Sequence, residues 1–516
     1  MLTTTEALDD GRMRDGFSAW MVTIGITLFA FFIRAVGLAF PNKLMFDETY
    51  YAKDGWTLIN HGHELDWVEG ANEQIVAGNI DQVTDTASFV VHPPLGKILI
   101  GLGELLFGMN SMGWRFAALV AGTMLVFLVI RLARRLARST LVGALAGILL
   151  TFDGLAFVMS RIALLDIFQA VFAVAAVAAL VADRDWMRHK LADHLRSTGE
   201  RDLGGRFGPL LLWRPWRFVA GVMFGASCAV KWNSVFLVAV FGIVTVVWDV
   251  GARRLAGAAR PWRSLLFEAP AAFVQTVVVG AITYVATWTG WLRTDGGWGR
   301  DFGANNPDHP LVRFLGEPLG SLAEYHRRMF NFHTGDHMMN EATHTYEAHP
   351  AGWLFMIRTT GVAAENQIQP GEQGCDAVGT TCLRVVAAMG TPLLWWIAAV
   401  ALVVALWLWL GRRDWRFAVP LLAVAATWLP WFRFSDRPLF FFYGIMIVPF
   451  TVIGLAMVLV RFLGPAHHPQ RRRRAIIVGL IVGMIILNFA FIHPVLTFDL
   501  MTRPQWMLRM WLGTWI

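Results

Sequence analysis

The sequence predicts an all-α protein that crosses a membrane many times, and three observations carry that reading. Of 516 residues, 56% are hydrophobic and 16% are charged, whereas charged residues make up ~25% of an ordinary soluble chain. A helical span needs ~20 mostly apolar residues, and runs of that kind recur from residue 17 to residue 492. The basic residues gather in short segments between those runs, as positive-inside bias gathers them in cytoplasmic loops. The clusters are Arg131, Arg134, Arg135 and Arg138; the stretch from Arg184 to Arg217; Arg253 and Arg254; Arg412 and Arg413; and Arg471 to Arg474. The net charge is +7. This distribution assigns it to loops beside a membrane and argues against a nucleic-acid partner.

About eleven spans are expected, at 17–39, 114–131, 140–159, 162–182, 217–232, 234–250, 268–292, 387–410, 417–432, 440–462 and 475–492. The opening MLTTTEALDDGRMRDG is polar, and the apolar run after it is too long for a signal-peptide core. It therefore reads as a retained first helix. Basic clusters at every second loop place the N-terminus in the cytoplasm and the C-terminus outside. Two outer segments are long, 41–113 and 293–383, and residues 384–516 form a C-terminal bundle. In the first outer segment, His92-Pro93-Pro94 starts a helix. Its Lys97, Gly101, Glu104 and Gly108 share one face while Ile98, Leu102, Leu105 and Leu106 lie elsewhere. That pattern suits an amphipathic helix in the outer interface. The alternative is a short span with a buried Lys–Glu stripe. Most of the 24 tryptophans, Trp395 and Trp396 among them, read as an interfacial aromatic belt. Cys375 and Cys382 bracket DAVGTT in the second outer segment and, facing an oxidising exterior, could close a small disulfide.

The chemistry-bearing stretch is KLMFDETYYAKDGW, Lys43 to Trp56, just past the first apolar run. Asp47 and Glu48 lie there among aromatics, where partial desolvation raises a carboxyl toward a useful base. Neighbouring side chains point in different directions. One acid can thus meet a reacting group while the other orients a partner. The bland reading is a solvated pair at a helix exit. A base at headgroup depth can deprotonate a water-side hydroxyl as it attacks a sugar carried on a polyprenyl phosphate. The departing phosphate then needs cations. Arg115, Arg161, Lys231, Arg433 and Arg437 are placed for that, or for snorkelling to the interface.

FDETYYAK, HPPLGK, WRFAALVAG, SRIALLD and KWNSVF occur in this order, followed by THTYEAHPAGW and WFRFSDRPLFFFYGIMIVP. The set, spanning nearly the whole chain, resembles the protein O-mannosyltransferase family. The resemblance implies a single GT-C membrane domain over 1–516, in the plasma membrane with its site outside. It implies a polyprenyl-phosphate mannose donor, Ser/Thr acceptors on exported proteins, inversion at the anomeric carbon, and the secretion machinery as a further partner. Carried onto matching positions, Asp47 is the base and Glu48 its neighbour at the acceptor side. Arg115 is a phosphate- or site-organising cation, with His92, Arg161 and Asp166 as further motif residues. Lys231 joins the donor-phosphate group. His344 and Tyr346 are read as site wall. Arg437 and Tyr443 shape a lipid groove or pack as an aromatic boundary.

The second outer segment has about ninety residues, too few for the MIR domain of eukaryotic members, so the chain is similar to the actinobacterial branch. Val90 stands where the eukaryotic pattern has an acid, after an insertion containing Asp81 and Asp85. His326, His333, His337, His344 and His349 lack firm ligand spacing. No metal is assigned, and a divalent-cation requirement stays open. Other readings are a same-fold enzyme moving a different lipid-linked sugar or using a glycan or lipid acceptor, and a transporter. A transporter expects internal repeats and midplane charges, which the sequence lacks.

Overall fold

A computed structural model describes residues 3–9, 16–335 and 342–516, so His337 lies outside the described residues. The main helices are α1 (Phe17–Ala35), α2 (Glu48–His61), α3 (Leu95–Phe107), α4 (Ser111–Ala137), α5 (Thr140–Thr151), α6 (Asp166–Thr198), α7 (Pro215–Cys228) and α8 (Val235–Leu255). They continue with α9 (Pro261–Ala286), α10 (Glu317–Thr334), α11 (Pro392–Leu410), α12 (Ala418–Trp428), α13 (Val448–Leu463) and α14 (Arg471–Ile492). Eight helical stretches among the described residues are long and apolar enough to cross a bilayer. Every expected span falls on a helix, but α5, α7 and α13 are short, and α12 reaches span length only with the 3-10 turns at its two ends, over Trp415–Phe434. The run 140–159 breaks at Asp153, whose carboxylate caps a separate turn by accepting from the Ala156 N–H at 2.8 Å. The run 440–462 opens with a 3-10 turn, Phe441–Met446, before α13 begins.

Other departures have physical reasons. The run expected from 387 starts as strand: β4 (Cys382–Ala388) pairs with β3 (Thr360–Ile368) on one side and β5 (Met501–Thr502) on the other. A second, two-stranded sheet joins β1 (Leu65–Trp67) to β2 (Val83–Ala87). Trp395 does not belong to an interfacial belt: it is buried, and its indole N–H donates to Asp153 at 2.7 Å. α6 outlasts its expected span and runs on to Thr198, where a small apolar cluster around Met187, Leu191 and Leu195 packs one face and ion pairs such as Arg196–Asp193 lie on the exposed side. Cys375 and Cys382 are bonded, with their Cα atoms 5.9 Å apart.

α6 stands at the centre of the bundle, buried on nearly all sides up to Arg184. Toward its far end, a square of four charges ties three helices together without solvent. Arg214 donates to Asp183 and to Asp249 at 2.7 Å, and Arg217 reaches the same two carboxylates at 3.3 and 2.7 Å. Two positive and two negative groups balance, which is the condition under which buried charge is tolerated.

α2 and α3 pack at the opposite end of α4 from its arginine cluster. A Cβ on Gly101 would lie 2.3 Å from the Gly55 carbonyl oxygen, so only glycine allows these two backbones to touch. The Lys97 and Glu104 face of α3 turns into this contact, where Lys97 bonds Glu64 at 2.5 Å. Leu102, Leu105 and Leu106 are exposed on its outer face. Lys97 is therefore satisfied by protein, whereas both carboxyl oxygens of Glu104 are buried with no hydrogen-bond partner among the described residues.

Candidate active site

The acid pair is split by one backbone feature. Phe46 sits at φ 51°, a left-handed conformation that costs a non-glycine residue about 1–2 kcal/mol. Its ring is wedged against Phe440, Phe442 and His344, with centroids 5.7, 5.8 and 5.9 Å away. That packing holds the sharp turn, and the next two side chains diverge from it.

Glu48 turns inward and has no exposed surface (0%). Oε1 accepts from Arg115 Nε and the Ala163 N–H, each at 2.9 Å. Oε2 accepts from Arg115 Nη2 at 3.0 Å and the Met45 N–H at 2.9 Å. Arg115 also donates to the carbonyls of Leu38, Pro41 and Lys43 at 3.2, 2.9 and 2.8 Å. Both side chains are saturated. The pair clamps the loop that carries Asp47, which fits Arg115 as a site-organising cation, and the hydrogen-bonding positions of both side chains are taken up within the protein. Arg161 has a similar fate. Its guanidinium donates to the Val36 and Gly37 carbonyls at 2.6 and 2.9 Å and also to that of Arg34, closing the C-terminus of α1. This is a helix cap, favoured by the dipole.

Asp47 points the other way. The Tyr51 hydroxyl donates to Oδ2 at 3.4 Å. Burial, helped by the charge of Asp166, raises its carboxyl to about 6 against the pull of Lys231 and Tyr51. Lys231 and Asp166, the two charges that act on it, line a cavity of about 250 Å³. Its polar wall includes His92, Asp166, Lys231, His333, Arg437 and Tyr443; its apolar wall includes Val235, Phe236, Phe330, Trp431 and Phe434. Lys231 bonds Asp166 at 2.7 Å and lies 5.0 Å from the Tyr443 ring centre. Tyr443 in turn stacks on Trp431 at 5.0 Å. Gln169 accounts for the placement of Lys231: its amide holds the Lys231 carbonyl and the Asn233 and Ser234 side chains at 3.1, 2.6 and 2.8 Å.

Sequence reading named His333 but did not assign it to the site. His326 and His333 lie seven residues apart on α10, hence on one face, and both rings pack on Trp232, at 5.9 and 6.2 Å. That i, i+7 spacing was the available signal. His333 Nε2–H donates to the Val91 carbonyl at 2.8 Å, and its Nδ1 accepts from Arg437 at 3.1 Å. Because a guanidinium only donates, the ring is neutral. Burial brings it down to about 4, against the Val91 bond and with the help of Arg437 and Lys231. His92, 5.4 Å from His333, is held well below its ordinary value by burial and then by Lys231. The cavity's cations are thus Lys231 and Arg437. His344 and Tyr346 stand outside it, around Phe46: the His344 ring is 4.9 Å from Phe440 and 5.9 Å from Tyr346. Among the described residues, no group of three or more His, Cys, Asp or Glu converges on a point suited to a metal ion.

The same architecture is found in solved enzymes. The yeast (S. cerevisiae) protein O-mannosyltransferase Pmt1–Pmt2 complex bound to the sugar donor aligns with a TM-score of 0.74 at 12% identity, covering 100% of this chain and 95% of that one. In sequence, the chain is 38% identical to the polyprenol-phosphate-mannose–protein mannosyltransferase of Mycolicibacterium smegmatis (strain MKD8), over 97% of this chain and 94% of the relative. It is 36% identical to the protein of that name from Mycobacterium tuberculosis (strain H37Rv), over 97% and 92%. The fold and these relatives define a multi-pass membrane glycosyltransferase of the GT-C class. The profile of the dolichyl-phosphate-mannose-protein mannosyltransferase family matches residues 24–255. The chain belongs to that family, in the company of its mycobacterial members.

Proposed function

We propose that the protein transfers mannose from a polyprenyl-phosphate carrier to Ser or Thr hydroxyls of exported proteins, with inversion, and that Asp47 is the general base. The observation that carries the assignment is the divergence of the acid pair: Glu48 is saturated, whereas Asp47 feels the charges of Lys231 and Asp166 in the cavity wall and has a carboxyl near 6. The names of the mycobacterial relatives supply the donor and acceptor classes. In the reaction, Asp47 takes the hydroxyl proton as the oxygen attacks the anomeric carbon. The bond from that carbon to the phosphate oxygen breaks on the opposite face. The released phosphate keeps the electron pair, and Lys231 and Arg437 offset its charge, as preorganised cations do for developing anions. His333 aims Arg437, and the apolar wall from Val235 to Phe236 suits the first isoprene units of the carrier. The site faces outward and the N-terminus inward. Supporting this, α4 carries Arg115 at the site end and Arg131, Arg134 and Arg135 at the other, in keeping with positive-inside bias.

The direct test is transfer from polyprenyl-phosphate mannose to a Ser/Thr peptide in membranes containing the protein. No product with this donor would exclude the mannose reading. The pH dependence tests the base. Attack needs Asp47 ionised, so kcat/KM is expected to rise with pH. It should be half-maximal near pH 6, given the carboxyl at about 6, and about a tenth of its plateau at pH 5. A flat profile from pH 5 to pH 7.5 would remove Asp47 from that role. For the cation, Arg437→Ala is expected to raise the donor KM about tenfold or more, the scale of a lost hydrogen bond to a charged group. An unchanged KM would refute phosphate contact.

A further inference from the structure

A second cavity, of about 470 Å³, lies among α1, α4, α6 and α7, toward the end of the bundle opposite the candidate active site. α4 packs on α6 at the back of it; α1 packs on α4 at one side, and α7 packs on α6 at the other. The cavity is therefore a groove between α1 and α7. Ala175, Ala178, Ala179 and Ala182 recur at helical spacing and lay one face of small side chains along it. Trp20 of α1 and Trp216 of α7 stand on its two sides, 39% and 44% exposed.

One end of the groove is cationic. Arg131, Arg134 and Arg135 of α4 line it against one carboxylate, Asp185 of α6, which leaves two positive charges in excess. Arg131 lies over the Trp20 ring at 4.1 Å, and Arg134 Nε donates to the Thr140 hydroxyl at 3.3 Å. Arg135 reaches Asp185 at 3.3 Å, and Arg184 holds the same carboxylate at 3.1 Å. Depth points to the kind of ligand. Arg131 and Arg135 follow Arg115 on α4 by sixteen and twenty residues, about 24 and 30 Å at ~1.5 Å per residue, and the hydrocarbon layer is about 30 Å thick. The cations thus stand at the headgroup boundary of the far leaflet. From Ala175 to Asp185, α6 rises ten residues, about 15 Å, the depth of one leaflet. A soluble anion has no use for that apolar length, and a zwitterionic lipid brings its own cation to a site already in positive excess.

We infer that this groove is a selective site for an anionic phospholipid of the leaflet opposite the active site, with its phosphate against Arg131 and Arg135 and an acyl chain along the alanine face of α6. In the orientation proposed above, that leaflet is the cytoplasmic one; the inference does not depend on the sugar or the acceptor. Basic pockets between membrane helices hold anionic headgroups in this way. Seated there, the lipid bridges α1 to α7. α1 runs from the groove to the Val36 and Gly37 carbonyls that Arg161 holds, and the loop carrying Asp47 follows. The lipid is thus a wedge that steadies the helix leading into the candidate active site.

The test uses the purified full-length protein, stripped of lipid in a neutral detergent, with dioleoyl phosphatidylglycerol and dioleoyl phosphatidylcholine as probes. Native mass spectrometry reads the affinity of the first lipid bound, and the unfolding temperature is read in parallel. The first phosphatidylglycerol is expected to bind about tenfold or more tighter than the first phosphatidylcholine and to raise the unfolding temperature. Two variants locate it. Arg131→Gln with Arg135→Gln removes the excess charge, and Ala178→Phe fills the apolar groove with the charges intact. Each is expected to weaken the first phosphatidylglycerol about tenfold or more. Unfolding temperatures close to that of the unaltered protein, all without lipid, certify the folds; Ala178→Phe carries the test if the arginine variant is unstable. Equal affinity for the two lipids would overturn the inference. So would full phosphatidylglycerol affinity in both variants, which would put the lipid elsewhere. Equal stabilisation by glycerol 3-phosphate at the same concentration would also overturn it, in favour of a free anion.

Discussion

Replacing Asp47 with Asn is expected to lower mannose transfer about 100-fold or more, the range over which a positioned general base acts, with the amount of folded protein unchanged. The substitution keeps the size of the side chain and its contact with the Tyr51 hydroxyl while removing the proton acceptor. It leaves the Glu48–Arg115 clamp intact, so the loop keeps its shape. The measurement is the initial rate at saturating donor and acceptor, normalised to protein in the membrane. Because proton removal belongs to the transition state and not to donor binding, kcat falls and the donor KM holds. A variant with more than a tenth of the normal rate would mean that another group, or water, receives the proton.

Glu48 and Arg115 are expected to behave in the opposite way. Arg115→Leu leaves a carboxylate with no exposed surface, and Glu48→Ala leaves a guanidinium likewise. Removing one partner of a buried pair costs about 3–5 kcal/mol, so each variant should unfold at a markedly lower temperature in detergent. The double variant Glu48→Met with Arg115→Leu should cost less than the sum of the single changes, since neither charge is stranded. Arg115→Lys should fail to rescue, because one ammonium cannot serve three carbonyls and a bidentate carboxylate. Donor KM distinguishes the clamp from a phosphate contact. In the fraction that remains folded it should be unchanged, whereas a phosphate-binding arginine would raise it.

These contrasting expectations for two adjacent acids mark where the sequence stops being legible. Apolar runs and arginine clusters located nearly every helix, because a bilayer demands both patterns. The failures are local. The run entering α11 begins with strand-forming residues of β4, and an apolar strand and the start of a span look alike over six residues. Hydropathy ends the fourth predicted span at residue 182, but nothing in hydropathy ends a helix; α6 continues on a narrow apolar stripe and paired charges to Gly199, which adopts φ 68°. The division of work between Asp47 and Glu48 turns on Phe46 at φ 51°. A phenylalanine gives no hint of that conformation, which its ring packing enforces from residues some four hundred positions away. Arg161 and Lys231 were indistinguishable as cations near the outer boundary. Distances alone separate the one that caps α1 from the one that reaches the cavity. His333, conversely, carried a readable signal in its spacing from His326.

The overlong α6 has a practical consequence. At about 1.5 Å per residue its 33 residues extend about 50 Å, against a hydrocarbon layer of about 30 Å. Roughly 20 Å therefore stands clear of the bilayer. A small apolar cluster that includes Leu8, Met187, Leu191 and Leu195 braces it there, and Arg188 donates to the Ala7 carbonyl at 2.8 Å. The molecule thus has a stiff mast on the face away from its chemistry. A rigid helical fusion grafted in frame near Thr198 would inherit that stiffness, giving electron microscopists a fiducial that reports orientation while the acceptor face stays unobstructed.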